Sequence, residues 1–176
     1  MSTKFLFDDY IRALNSSEPI KIVDIGCGAS CVYSLLGCKI FPINVKITAL
    51  EPSYKNFEIA SKNIKRNGID RVEVLNHKFE EYSEDFDVCV CNPPFYDTNE
   101  SDKNQNQNRT GRRKKGKFTV STGHRIECSV EGGEVKYVKS LIAWSVRKNI
   151  KLGSTMLGKK SSVDDLIASE ANQFIT

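Results

Sequence analysis

Asn92, Pro93, Pro94 and Phe95 stand in a row at the end of the apolar stretch FDVCVC. Proline has no amide N–H and cannot continue a central strand, so one proline would end it. Two prolines after an asparagine make a rigid corner, and such a corner can hold a planar amino group. The Asn92 side-chain carbonyl and the Pro93 backbone carbonyl are acceptors for the two N–H bonds of that group, and Phe95 offers a ring face for stacking. An amino nitrogen conjugated to a ring is a poor nucleophile, because its lone pair is delocalised. Fixing both hydrogens turns the lone pair toward an electrophile without a strong base. The plain alternative is a loop whose prolines only stop the strand.

Two further stretches carry chemistry of a different kind. VDIGCGAS places Gly26 and Gly28 directly after an apolar run, where glycine allows a tight turn and close approach of a ligand. Cys31 stands where a dinucleotide fingerprint would have its third glycine, which weakens a phosphate-binding reading. Asp24 precedes the turn, and Glu51 ends the next apolar run, VKITALE. A carboxylate in that place can accept both hydrogen bonds from a ribose diol. The alternative is an ordinary glycine turn and a solvated Glu51.

These residues need elements to hold them. KIVDIG (21–26), VKITALE (45–51), RVEVLN (71–76), FDVCVCN (86–92) and IKLGSTML (150–157) read as strands. Between them, ASCVYSLLG reads as a helix ending at Gly37, YKNFEIASKNIKRNG as one ending at Gly68, and GGEVKYVKSLIAWSVRK as a third. The third helix has Val135, Val138, Leu141, Ile142 and Ser145 along one face, with Trp144 assigned to packing rather than to base stacking. SSVDDLIASEANQF reads as a last helix capped by Ser161 or Ser162. Within residues 1–20, Phe5, Leu6, Tyr10, Ile11 and Leu14 fall on one side of a leading helix. Alternating strands and helices predict an α/β fold, a parallel sheet with helices on its faces. In such a sheet, ligands bind at the strands' carboxyl ends near the switch in strand order. DIGCGAS, ALE and CNPPFY all fall at that edge.

Composition bounds the rest. The 176 residues fit one domain, and no apolar stretch suggests a signal peptide or membrane span. Cys27, Cys31, Cys38, Cys89, Cys91 and Cys128 form no CxxC pair, and His77 and His124 complete no metal pattern. Four of the cysteines fall in apolar strand or strand-to-helix contexts, so the expectation is small buried thiols in a reducing compartment and no metal, with zinc or disulfides as the alternative. Residues 101–120 hold seven Lys/Arg and one Asp, leaving −2 for the remainder of a chain whose net charge is +4. Arg109, Arg112, Arg113, Lys114, Lys115 and Lys117 in this insert (97–123) could neutralise RNA phosphates, and RRKKGK also suits nuclear import. A solvated charge run is the alternative.

Taken in order, DIGCGASCVYSLLG, DVCVCNPPFY, VEGGEVKYVKSLI and MLGKKSSV resemble the methyltransferase-10-domain family. Within it the likeness is to the adenine-N6 methyltransferases of U6 small nuclear RNA, and more distantly to bacterial large-subunit ribosomal RNA adenine methyltransferases. The resemblance implies a single Rossmann-like class I methyltransferase domain over 1–176 that uses S-adenosyl-L-methionine. It implies a structured RNA as partner, with a small nuclear RNA first, no membrane and no metal. The nucleus is the expected compartment and the cytoplasm the second. Gly26 and Ser30 would face the methionine part of the cofactor and Glu51 its ribose, with Gly28 in the same cofactor site. A further contact is implied near Asn76, His77 or Lys78. Asn92, Pro93, Pro94 and Phe95 would form the adenine pocket, with Asn92 also against the cofactor. Met156, Lys159 and Lys160, in the loop 156–162, would belong to a mobile segment able to obstruct the cofactor site. The family has an amino-terminal RNA-binding module and two closing strands that this sequence is expected to lack, so the fifth strand is expected at an exposed edge. Alternatives are methylation of protein glutamine or guanine N2, or a silent RNA-binding module. Oligomeric state stays open.

Overall fold

The computed structural model describes residues 18–41, 44–94, 96–97 and 129–171. The expected leading helix at 5–14, Phe95 and the basic residues between Arg109 and Lys117 lie outside them. The chain divides into two compact units, Met1–Cys91 with Trp144–Ser154, and Asn92–Ala143 with Thr155–Thr176.

The first unit carries the sheet. Its strands are β1 (Ile20–Ile25), β2 (Val45–Leu50), β3 (Val72–Leu75), β4 (Val88–Cys91) and β7 (Leu152–Thr155), in the order β3-β2-β1-β4-β7. The β1–β2, β1–β4 and β2–β3 pairings are parallel. The amides of Lys151 and Leu152 both donate to the Asp87 carbonyl, at 3.0 and 3.3 Å, so β7 starts level with β4. The order reverses between β1 and β4, which makes that pair the switch point. Among the described residues β7 is the sheet's last strand on this side, as expected.

Apolar side chains explain the strands. Ile20, Ile22, Val45, Ile47, Ala49 and Val88 are buried in one cluster with Ala60 and Ile64 of α2 (Tyr54–Arg66) and with Cys31 and Cys38 beside and within α1 (Val32–Ile40). Full burial of each large aliphatic side chain stabilises by about 1.5–3 kcal/mol. Asn56, Ala60 and Ile64 make the buried face of α2 at helical spacing. Gly68, at φ 62, ends that helix as its sequence implies.

Gly37 does not end α1. The helix continues to Ile40, with the Phe41 amide bonded to the Gly37 carbonyl at 2.9 Å. Pro42 stops it instead, by forcing Phe41 into an extended conformation. Gly37 serves packing, since a Cβ there would lie 3.2 Å from Ile47 Cδ1. The strands are shorter than the sequence suggests, because pairing stops before the polar ends of RVEVLN and FDVCVCN. Trp144 is buried and meets Phe79, of the short 3-10 turn Phe79–Glu81, edge-on at 5.6 Å.

The second unit contains a feature that the sequence pattern does not announce. β5 (Tyr96–Asp97) and β6 (Ser129–Val130) pair in parallel and tie together the two ends of the segment 98–128. α3 (Gly133–Arg147) follows, in this unit as far as Ala143 and in the first unit from Trp144; Glu134, Val138, Leu141 and Trp144 are buried, while Val135, Ile142 and Ser145 are only half-buried. α4 runs from Lys160 to Ala171, so Ser161 and Ser162 are inside the helix and not its cap.

Candidate active site

Register across the sheet brings four strand ends level. Ile25 pairs with both Leu50 and Cys91, and Leu50 pairs with Leu75. The next residue along each strand is Gly26, Glu51, Asn92 or Asn76. Three of these, Gly26, Glu51 and Asn76, belong to the first unit and are brought together there; Asn92 is the residue bonded to the end of β4.

The turn after β1 is held from several sides. Gly26 and Gly28 take φ values of 66 and 62, which only glycine adopts without strain. The Leu50 carbonyl accepts from the amides of Gly26 and Cys27, at 2.9 and 3.2 Å. Glu51, itself buried, accepts from the Gly28 amide at 2.9 Å through one oxygen and from the Ser53 amide at 2.9 Å through the other. Asn63 of α2 donates to the Ala29 carbonyl at 2.9 Å. Ser30 is exposed beside them. Asn76 donates to the carbonyls of Glu51 and Pro52, at 2.8 and 3.1 Å, so it locks the strand-two corner.

Asp24 sits behind the turn. One of its oxygens accepts from the Ser34 amide and hydroxyl, at 3.1 and 2.7 Å, which anchors the start of α1. The other oxygen is buried with no hydrogen-bond partner among the described residues. Burial pushes this carboxyl up to about 6, against the lowering effect of the Ser34 bonds. The five described cysteines are buried thiols, as expected, and form no disulfide with one another. A hydrogen bond with Cys31, then burial, pushes the Cys27 thiol up, and burial takes Cys89 to about 12.

At the corner after β4, Asn92 is exposed, Pro93 is fully buried and Pro94 is half-buried. The Pro93 ring fixes its own φ and restricts the Asn92 backbone ahead of it to extended conformations. Met156, Lys159 and Lys160 are exposed. The loop that carries them is anchored by a residue that no sequence motif marks: Glu134 accepts from the amides of Gly158 and Lys159, at 2.7 and 3.3 Å, and from the Ser162 hydroxyl at 2.5 Å. Asn63, Ser34 and Glu134 share the reason for being missed, since each acts on a partner 10 or more residues away.

The cofactor implied by the sequence fits this geometry. A buried carboxylate ends β2, an orphaned carboxyl oxygen lies behind the turn, and a Cβ at Gly28 would meet nothing within 4 Å.

A family model described as RNA methyltransferase matches residues 6–173. Over 174 residues the chain is 34% identical to a U6 small nuclear RNA (adenine-(43)-N(6))-methyltransferase of Drosophila pseudoobscura pseudoobscura, a match covering 91% of this chain and 56% of that protein. The chain thus spans about half the length of this curated relative. A crystal structure of the hMettl16 catalytic domain in complex with MAT2A 3'UTR hairpin 6 superposes with a TM-score of 0.73 at 30% identity, covering 98% of this chain and 62% of that one. The N-terminal domain of human METTL16 in complex with SAH superposes with a TM-score of 0.63 at 28% identity, covering 96% and 58%. The sheet described above is therefore a Rossmann-like methyltransferase sheet, with five strands among the described residues. Because the match runs through nearly all of the sequence and the fold agrees, the chain belongs to the methyltransferase-10 family of RNA methyltransferases.

Proposed function

We propose that the chain transfers a methyl group from S-adenosyl-L-methionine to adenine N6 in a structured RNA, with U6 small nuclear RNA as the first substrate to test. The observation that carries this reading is the level register of Ile25, Leu50 and Cys91, which brings the glycine turn and Glu51 to the strand end that continues into Asn92. The names of the relatives, and the RNA and SAH in the solved neighbours, support it from outside the chain.

Gly26, Gly28, Ser30 and Asn76 would line the cofactor site, and Glu51 would accept from its ribose hydroxyls. When bound, the cofactor supplies a methyl group on a sulfonium, an electrophile that needs no further activation. The work of the protein is orientation. Asn92 and the Pro93 carbonyl would take the two N6–H bonds, Phe95 would stack on the base, and Pro94 would keep the corner stiff. The adenine has to leave any stack to reach them. Arg109, Arg112, Arg113, Lys114, Lys115 and Lys117 would hold phosphates without reading sequence, and the paired β5 and β6 would keep both ends of their segment together. The basic segment also suits a nuclear address and argues against a protein substrate.

The test is incubation of the chain with labelled S-adenosylmethionine and either total RNA or U6 transcript, followed by nucleoside analysis. N6-methyladenosine is expected. Label in N2-methylguanosine or in protein glutamine would overturn the base assignment. Failure to bind the cofactor would leave a silent RNA-binding module.

A further inference from the structure

Glu134 is, with Asp24 and Glu51, one of three buried charged residues among the described residues, 3% exposed, and lies in the first turn of α3. Its carboxylate makes no bond to its own helix in the described structure; it accepts from Gly158, Lys159 and Ser162, 24 to 28 residues further on. Gly132 and Gly133, at φ 82 and 67, turn the chain just ahead of it. A helix start leaves amide groups without intrahelical partners, and a side chain usually satisfies them from the residue just before. Here the position before α4 is Lys159, which has no capping oxygen in its side chain. Glu134 supplies the acceptor from another helix, with charge-assisted bonds that are the stronger kind. The segment it pins leaves β7 and carries two consecutive exposed lysines, Lys159 and Lys160.

We propose that Glu134 is a positioning residue for RNA: by fixing the Gly158–Ser162 segment it presents Lys159 and Lys160 to the phosphate backbone as a second basic contact, separate from the insert. This rests on the RNA methyltransferase reading above. A loop pinned in advance keeps more of the energy of each interaction it makes, because less ordering is left to do on binding. Loss of the anchor should therefore act first on RNA affinity.

The experiment uses the full 176-residue chain. In Glu134→Ala, amide hydrogen exchange at Gly158 and Lys159 should quicken by about tenfold or more. The KM for RNA should rise about fivefold to tenfold with kcat within about twofold of wild type, whereas a shift in S-adenosylmethionine affinity with RNA binding unchanged would overturn the RNA role in favour of obstruction of the cofactor site. Glu134→Gln, which keeps the volume and one accepting oxygen, should fall between. Lys159→Ala with Lys160→Ala should reproduce the weaker RNA binding with unchanged amide protection, and should lower the log–log salt slope by about 1.5. This pair does not depend on the Glu134 variant folding. Unchanged exchange in Glu134→Ala would show that the carboxylate is no anchor. Faster exchange with RNA binding unchanged in both sets of variants would reduce Glu134 to a helix cap. Wild-type chain that binds no RNA would overturn the enzyme reading itself, an outcome visible before any variant is made.

Discussion

The Glu51 carboxylate and the Gly28 amide meet at 2.9 Å across 23 residues of sequence. One side chain thereby joins the end of β2 to the turn after β1, while its second oxygen holds the start of α2 through Ser53. Glu51→Ala should weaken S-adenosylmethionine binding, because two ribose hydroxyls lose a charged acceptor worth about 1.5–3 kcal/mol each. It should also lower stability by about 1–3 kcal/mol per amide left buried and unpaired. Titration calorimetry and thermal unfolding separate the two effects. Unchanged affinity in a destabilised variant would leave Glu51 a structural clasp only.

Asp24 makes folding depend on pH. Its carboxyl is raised from 3.8 to about 6 in the folded chain, so between those values the folded state binds the proton more tightly than the unfolded state. This group's contribution is most favourable below about pH 4 and is lost as pH rises through about 6. The loss is about 3 kcal/mol. Asp24→Asn should remove this fall. Urea unfolding of both proteins at several pH values across that window should show the variant gaining on wild type as pH rises. A constant difference would mean that Asp24 does not titrate there.

Asn92→Ala should cut methyl transfer by about 100-fold or more, with the fold unchanged, since the side chain is exposed and is asked only to orient the amine. Single-turnover rates at saturating RNA are the measure. A rate near wild type would leave the corner a strand stop.

Replacing Arg112, Arg113, Lys114 and Lys115 by Ala should weaken RNA binding and flatten its salt dependence, by about 0.7–0.9 in log–log slope for each phosphate no longer neutralised. Fluorescence anisotropy at several salt concentrations reads this directly. A slope equal to wild type would return the segment to a solvated charge run or an import signal.

How much of this is legible in the sequence follows from distance along the chain. Strands such as KIVDIG and the positive φ of Gly26, Gly28 and Gly68 are local matters, and the sequence announces them. Gly37 misleads because a glycine near a helix end looks like a terminator, while the real terminator, Pro42, lies one turn on. Ser161 and Ser162 mislead for the opposite reason: the helix start is capped by Glu134, whose link to Ser162 spans 28 residues and has no sequence pattern. The two-residue pairing of Tyr96–Asp97 with Ser129–Val130 is too short for any periodicity to mark. For the candidate site, residue types are readable but their common level is not, since that depends on strand register.

The level strand ends have a consequence for changes in chain length. Each strand residue advances the chain by about 3.3 Å, so one residue inserted between Leu50 and Glu51, or between Ile25 and Gly26, would carry a carboxylate or a turn off its partners. One residue inserted between Gly68 and Arg71, where α2 has ended and β3 has not begun, would move nothing at that edge. The chain is thus divided into stretches where length is free and four junctions where it is not. Scanning single-residue insertions should reveal those junctions without knowledge of any ligand.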